Sequence, residues 1–238
     1  IWLAGDPADL DKYMNNGIKG IVTNTVVQRE LVQKYGTLTE LTKKYLEITD
    51  KKIAIEIDGN STQELLDVGE KFTQLSDQII LKIPCSDIAR EAFSVLKKEG
   101  VETFCTTVFS LSQAVVSAQA GADHILPFCE PFKDLGLSPT KLVKDCYETF
   151  KNWKERPKIT AALVRSPDVA NSALRDGADG IIIFWPVYDE ILKNPLTDKW
   201  NNIFMDEWKI MNKHGHLKDL PTNLDLSMKN LPTLITYS

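Results

Sequence analysis

The stretch Gln78-Ile-Ile-Leu-Lys-Ile-Pro84 places a lysine, Lys82, inside an otherwise apolar run. A continuous run of Ile and Leu is typical of a strand in a parallel sheet that is covered on both faces. An ammonium group there is costly unless it is paired or loses its proton. A desolvated lysine amine is the nucleophile that Schiff-base chemistry on a carbonyl compound requires. The alternative interpretation is a lysine at the strand end whose ammonium group reaches solvent.

The same kind of apolar segment recurs along the chain, and helical segments with apolar residues at spacings of three and four lie between the recurrences. This alternation predicts an α/β fold, and the number of strands favours a single closed (β/α)₈ TIM barrel over residues 1–194. The predicted strands cover residues 1–4, 20–23, 52–57, 78–83, 102–107, 124–128, 158–164 and 180–184.

The alternation of strand-like and helical segments ends after residue 194. Residues 195–238 are predicted to form an extra C-terminal helix, rich in Trp, Ile, Phe and Met, followed by an extended arm that begins at His214 and contains Pro221 and Pro232. We expect this segment to pack on the barrel or on a neighbouring subunit.

Composition excludes several classes of function. The net charge of -5 provides no basic surface for nucleic acid. No segment is long and apolar enough to cross a membrane, and no signal peptide is visible. The sequence leaves open whether a targeting segment precedes Ile1. The four cysteines lack C-x-x-C spacing, which favours reduced core residues and a cytoplasmic protein. His214 and His216 lack further ligands at zinc spacing, so we expect neither a metal nor a cofactor.

Polar residues interrupt four consecutive apolar strands: Asn24, Glu56, Lys82 and Thr106. The carboxyl ends of barrel strands meet at one mouth, so these side chains are predicted to form a carbonyl-binding site. Lys82 would be the nucleophile, Glu56 and Thr106 would hold a proton-moving water, and Asn24 would bind substrate hydroxyls. Each also has a structural interpretation: a helix cap for Asn24, an ion pair for Glu56 and Lys82, and a β-branched filler for Thr106.

Two arginines are candidate anion ligands. Arg165 ends the seventh predicted strand, and Arg90 lies on the helix after the lysine strand. Arginine suits both bidentate anion binding and an exposed surface, so both interpretations stay open at Arg165. Arg90 fits a solvated helix face better, although it lies close enough to the strand end to reach an anion.

Four blocks of the sequence carry a resemblance to a known family: Gly20-Ile-Val-Thr-Asn24, Ile80-Leu-Lys-Ile-Pro84, Thr103-Phe-Cys-Thr-Thr-Val-Phe109 and Ala120-Gly-Ala-Asp-His-Ile-Leu-Pro-Phe128. They resemble the transaldolases, especially the short branch that contains fructose-6-phosphate aldolase. The resemblance implies a (β/α)₈ barrel, no cofactor, and transfer of a dihydroxyacetone unit between sugars by a lysine Schiff base at Lys82. It also implies a homo-oligomer, and Phe128 then matches the aromatic residue after the strand-six proline.

The chain also departs from the family pattern. The strand-one acid/base aspartate falls on Leu3 or Ala4, which leaves Asp6 as the nearby substitute. Pro131 and Leu163 fall where phosphate ligands are expected. A dianion without its donors binds poorly, which favours a singly charged sulfonate and the branch that acts on 6-deoxy-6-sulfofructose. The alternatives are an ordinary aldolase or transaldolase of sugar phosphates, and a catalytically silent barrel with a binding role.

Overall fold

Eight parallel strands close into a barrel, in which each strand pairs with the next in sequence and β8 pairs with β1. The computed structural model describes residues 1–220. Its topology confirms the predicted (β/α)₈ barrel. The strands are β1 Trp2–Ala4, β2 Gly20–Val22, β3 Lys52–Glu56, β4 Ile79–Pro84, β5 Thr103–Val108, β6 His124–Pro127, β7 Lys158–Ala161 and β8 Gly180–Phe184.

Helices follow the strands along the chain. Most of those longer than one turn begin at a Ser, Thr or Asn whose side chain accepts a backbone N–H, as N-cap chemistry predicts. They are α1 Pro7–Leu10, α2 Thr25–Tyr35, α3 Leu38–Ile48, α4 Thr62–Thr73, α5 Asp87–Lys98, α6 Leu111–Gln119, α7 Glu130–Asp134, α8 Lys141–Phe150, α9 Pro167–Arg175, α10 Trp185–Ile191 and α11 Pro195–Lys213.

The chain divides into two compact units, Ile1–Tyr188 and a second unit that begins at Asp189. The second unit contains the predicted C-terminal helix as α11. Residues 221–238, where most of the predicted arm lies, are outside the described residues. Where this segment packs stays a prediction. None of the described helices combines the length and the apolar character needed to cross a membrane.

Strand β7 is shorter than the sequence indicated, since it ends at Ala161 rather than at residue 164. The reason is the backbone of Leu163, whose φ of +52° lies in the left-handed region and cannot continue a strand. The apolar run therefore continues into a loop at the mouth of the barrel.

A layer of inward-facing apolar side chains fills the middle of the barrel interior, and the polar site residues lie two positions further along their strands. Side chains alternate between the two faces of a strand, so the residue two positions further along faces the same interior. On β3 that step leads from Ala54 to Glu56, and on β4 it leads from Ile80 to Lys82. The core layer is Trp2, Val22, Ala54, Ile80, Phe104, Leu126 and Ala162, with Ile182 and Phe128 packed against it.

Candidate active site

A pocket of about 360 Å³ opens at the carboxyl ends of the strands, directly above the core layer. This is the end at which barrel enzymes carry their chemistry. Its lining is mostly apolar, and its polar groups converge from β2, β3, β4 and β5. The lining residues are Ala4, Val22, Thr23, Asn24, Thr25, Val26, Val27, Glu56, Lys82, Thr106, Thr107, Phe128, Ala162, Leu163, Val164, Arg165, Ile182 and Phe184.

Lys82 and Glu56 form a buried ion pair on the floor of this pocket. Their backbones are register partners on β3 and β4, and Lys82 Nζ donates a hydrogen bond to Glu56 Oε2. Only 6% of the Lys82 side chain and 10% of the Glu56 side chain are exposed. Burial lowers the pKa of the Lys82 ammonium below its ordinary value, and the Glu56 charge acts in the opposite direction. The amine therefore loses its proton more readily than a lysine in solvent.

The other carboxylate oxygen of Glu56 is held by the start of α2. Thr25 Oγ1 donates to Glu56 Oε1 at 3.3 Å. Behind the carboxylate, Gln28 Nε2 donates to the Glu56 carbonyl oxygen at 3.0 Å and to Thr23 Oγ1 at 2.9 Å. Thr23 Oγ1 in turn accepts the Glu56 N–H at 3.1 Å. These contacts fix the direction in which the carboxylate points.

Thr106 and Asn24 complete the polar part of the pocket. Thr106 is fully buried, and its Oγ1 makes no hydrogen bond within the described part of the chain. A buried hydroxyl without a partner is costly, so this atom is suited to a ligand or to a water molecule. Asn24 caps α2 through Oδ1, which accepts the Val27 N–H at 2.9 Å. Its Nδ2 group is then the part that can serve a substrate.

Of the remaining predicted site residues, Phe128 and Arg165 line the pocket, whereas Asp6 and Arg90 do not. Asp6 accepts hydrogen bonds from Lys34 Nζ at 2.7 Å and from Tyr35 Oη at 2.5 Å. Burial raises the pKa of its carboxyl group, but these bonds outweigh that effect and hold the pKa below its ordinary value. Arg90 pairs with Asp87 on its own helix at 2.7 Å. The structure therefore brings neither Asp6 nor Arg90 to the lysine.

The first strand contributes no proton-transfer group to the pocket. Ala4 lines it, whereas Leu3 is fully buried and is not part of the lining. Within the described part of the chain, Glu56 is the only carboxylate in the pocket wall.

Several pocket residues were not anticipated from the sequence. Thr25 and Gln28 support Glu56, while Thr107 and Phe184 line the mouth. Leu163 also lines it, at the position where the sequence comparison with the family expected a phosphate ligand. The run Thr23-Asn24-Thr25 directly after an apolar strand was the available signal for Thr25. Thr107 and Leu163 reach the pocket because their backbones are left-handed, with φ of +56° and +52°, and strand periodicity does not predict that conformation.

A second cavity, of about 520 Å³, lies at the opposite end of the barrel. Of the charged groups in its lining, Arg156 binds Asp179 through both terminal nitrogens, at 2.9 and 2.5 Å. His124 contacts Thr160 Oγ1 at 3.0 Å and Glu102 Oε1 at 3.2 Å. The amino ends of barrel strands generally serve stability, and these contacts agree with that role.

The family of this chain is shown by its similarity to known proteins. The family model described as Transaldolase/Fructose-6-phosphate aldolase matches residues 9–230, which is most of the chain. The chain belongs to this family. It is therefore an enzyme of the transaldolase and aldolase type, and the resemblance inferred from the strand motifs is confirmed.

Individual relatives of the transaldolase family extend along nearly the whole chain. A probable transaldolase of Hydrogenobaculum sp. is 30% identical over 210 residues, which cover 87% of this chain and 97% of that protein. A probable transaldolase of Thermoplasma acidophilum is 30% identical over 220 residues, with 89% and 97% covered. The solved structure of FabK from Thermotoga maritima is similar in fold alone, with a TM-score of 0.53 and 16% identity over 76% of this chain and 56% of that one.

Proposed function

We propose that this protein is a Schiff-base transaldolase that transfers a dihydroxyacetone unit from an anionic ketose to an aldose phosphate. The observation that supports the proposal most strongly is the buried Lys82 amine in contact with the Glu56 carboxylate at the floor of a mostly apolar pocket. An amine in such surroundings is a nucleophile for a ketone carbon. Family membership supports the same chemistry.

Imine formation uses the groups around Lys82. Lys82 first gives its ammonium proton to the Glu56 carboxylate, and the neutral amine adds to the ketose carbonyl carbon to give a carbinolamine. Glu56 then donates that proton to the hydroxyl group, which leaves as water. We assign to Thr106 Oγ1, which is buried and without a partner in the described chain, the water molecule that carries this proton and later hydrolyses the imine. The product of the step is an iminium ion on Lys82.

Carbon–carbon cleavage requires a base for the substrate hydroxyl next to the bond that breaks. Because Glu56 is the only carboxylate in the described pocket wall, we assign this second proton transfer to Glu56 as well. As the hydroxyl proton moves to Glu56, the bond electrons enter the iminium group and an enamine forms while the aldehyde leaves. The enamine then adds to the acceptor aldehyde, and hydrolysis frees Lys82. Asn24 Nδ2 and the Phe128 ring are assigned to binding the dihydroxyacetone portion.

The anionic end of the donor is assigned to Arg165, at the mouth of the pocket. Apart from Lys82, it is the only cationic side chain in the pocket lining of the described chain. Its neighbours Leu163, Val164 and Phe184 are apolar and offer no further side-chain donors. One guanidinium matches a singly charged sulfonate better than a phosphate dianion, which favours 6-deoxy-6-sulfofructose as the donor.

Reductive trapping tests the proposal. Wild-type protein, Lys82→Ala and the control Lys52→Ala are treated with borohydride and either 6-deoxy-6-sulfofructose, fructose 6-phosphate or dihydroxyacetone, and the adduct is located by peptide mass spectrometry. We expect a reduced adduct on Lys82 in wild type and in Lys52→Ala, formed faster from the sulfonate ketose than from the phosphate ketose. No adduct should form in Lys82→Ala.

Three other results would contradict different parts of the proposal. An adduct that persists in Lys82→Ala removes Lys82 from the mechanism. A wild-type preference for fructose 6-phosphate overturns the sulfonate assignment and favours an ordinary transaldolase or aldolase. Release of free dihydroxyacetone at the full rate without any acceptor would identify net cleavage rather than transfer.

A further inference from the structure

Strand β5 contains a bulge next to the pocket. Its Cα partners on β6 run from Cys105 opposite Ile125 to Val108 opposite Pro127, so three steps on β5 face two steps on β6. Thr107 lies inside this bulge with a φ of +56°. Beta-branched residues rarely adopt left-handed backbone, and such conformations persist where the surroundings enforce them. An unstrained strand would direct Thr107 away from the pocket that Thr106 faces, yet both residues line it.

The hydroxyl group of Thr107 links the ends of two strands. Thr107 Oγ1 donates to the Thr106 carbonyl oxygen at 2.7 Å and accepts the Cys85 N–H at 3.1 Å. The same N–H donates to the Thr106 carbonyl oxygen at 2.9 Å. Cys85 lies three residues after Lys82, and Thr107 directly follows Thr106. The hydroxyl therefore joins the two strand segments that carry the amine and the unpartnered hydroxyl.

Glycine would be the residue of least cost at this φ, because it has no Cβ to clash with the backbone. A threonine in the left-handed region indicates that the side chain supplies something that the conformation alone does not. The two hydrogen bonds of Oγ1 are the contacts that account for it.

We propose that Thr107 is a positioning residue for the lysine chemistry: its hydroxyl holds the ends of β4 and β5 in register and so fixes Thr106 Oγ1 relative to Lys82 Nζ. The inference rests on the proposed imine chemistry at Lys82. Thr107 acts through Thr106 and Lys82 and forms no bond to the reacting atoms. Displacement of a catalytic group by about 1 Å is enough to slow a reaction by up to about 10²-fold.

Three variants separate the hydroxyl from the backbone strain. Thr107→Ser keeps the hydroxyl, Thr107→Val keeps the branched shape without it, and Thr107→Gly removes the hydroxyl while relieving the strain. The readouts are the rate of borohydride trapping at saturating ketose, the ketose concentration that gives half that rate, and the melting temperature. Thr103→Val is the matched control, since its hydroxyl bonds Asp123 at the far end of the same strand.

We expect Thr107→Ser to trap within about twofold of wild type, and Thr107→Val and Thr107→Gly to trap about tenfold more slowly with little change in half-saturation. If Thr107→Val does not fold, the trapping rate of Thr107→Gly by itself decides the inference. Thr103→Val should melt at a lower temperature but trap at the wild-type rate once folded. Wild-type trapping by both Thr107→Val and Thr107→Gly would overturn the inference alone. No adduct on wild-type Lys82 would overturn the proposed function and the inference with it.

Discussion

Glu56 and Lys82 are directly opposed on neighbouring strands, and their side chains meet as an ion pair in the barrel interior. Removing two charges from water is costly, and their mutual attraction offsets the cost only while both are present. Because the Glu56 carboxylate also accepts a hydrogen bond from Thr25, it is oriented independently of the lysine. The pair therefore combines a poised amine with a fixed proton carrier, and it makes chemistry and stability depend on the same two residues.

Glu56→Gln is expected to slow reductive trapping at Lys82 by roughly 10²-fold, the usual effect of losing an acid/base group. The pH dependence should change as well. The Glu56 charge raises the pKa of Lys82, so its removal lowers that pKa further and extends the neutral amine to lower pH. The pH range over which the trapping rate increases should therefore shift to lower pH.

The control for this measurement is Glu47→Gln, since Glu47 is exposed on α3 and pairs with Lys44. If the trapping rate of Glu56→Gln rose at the same pH as that of wild type, Glu56 and Lys82 would not be electrostatically coupled. An unchanged trapping rate would remove Glu56 from imine formation.

Lys82→Met is expected to destabilise the protein by about 3 kcal/mol, because it leaves the Glu56 carboxylate buried without its partner. The double variant Lys82→Met/Glu56→Gln should recover most of this loss, since neither buried charge remains. Urea unfolding of both variants and of wild type measures the effect. A double variant as unstable as the single one would mean that the lost lysine packing, rather than the unpaired charge, causes the destabilisation.

Arg165→Ala is expected to raise the KM for the anionic ketose roughly tenfold or more, because a charge-assisted hydrogen bond contributes about 1.5–3 kcal/mol. Arg90→Ala is the matched control: its guanidinium pairs with Asp87 and does not line the pocket. Steady-state kinetics on both variants should show the increase for Arg165→Ala alone. An increase confined to Arg90→Ala would place the anion beside α5 instead.

Gly20→Ala is expected to destabilise the barrel by about 3 kcal/mol, the upper end for overpacking. A Cβ at this position would lie 2.2 Å from the Lys52 carbonyl oxygen and 2.5 Å from the Trp2 ring. Gly180, the first residue of β8, offers a matched control, because a Cβ there would lie no closer than 3.6 Å to its neighbours. Thermal unfolding should show a large loss for Gly20→Ala and a change within about 0.5 kcal/mol for Gly180→Ala.

The sequence alone was sufficient for the barrel and for the family. Apolar runs separated by helical periodicity are local properties, and eight of them in alternation leave few folds to choose from. The position of Lys82 and Glu56 in the pocket wall also follows locally, since strand alternation sends every second residue to the same face. Strand alternation likewise predicts that Thr106 and Asn24 lie at the mouth of the barrel, where both line the pocket.

Tertiary structure decided which polar groups meet. Asp6 is near the first strand in sequence, yet Lys34 and Tyr35 hold its carboxylate away from the pocket. The left-handed backbones of Thr107 and Leu163 turn residues into the pocket that strand alternation would direct elsewhere. Hydrogen-bond partners distant in sequence and departures from regular backbone are set by the packed chain as a whole. Sequence periodicity therefore identified the strands and the lysine, and the packing of the chain determined which side chains surround it.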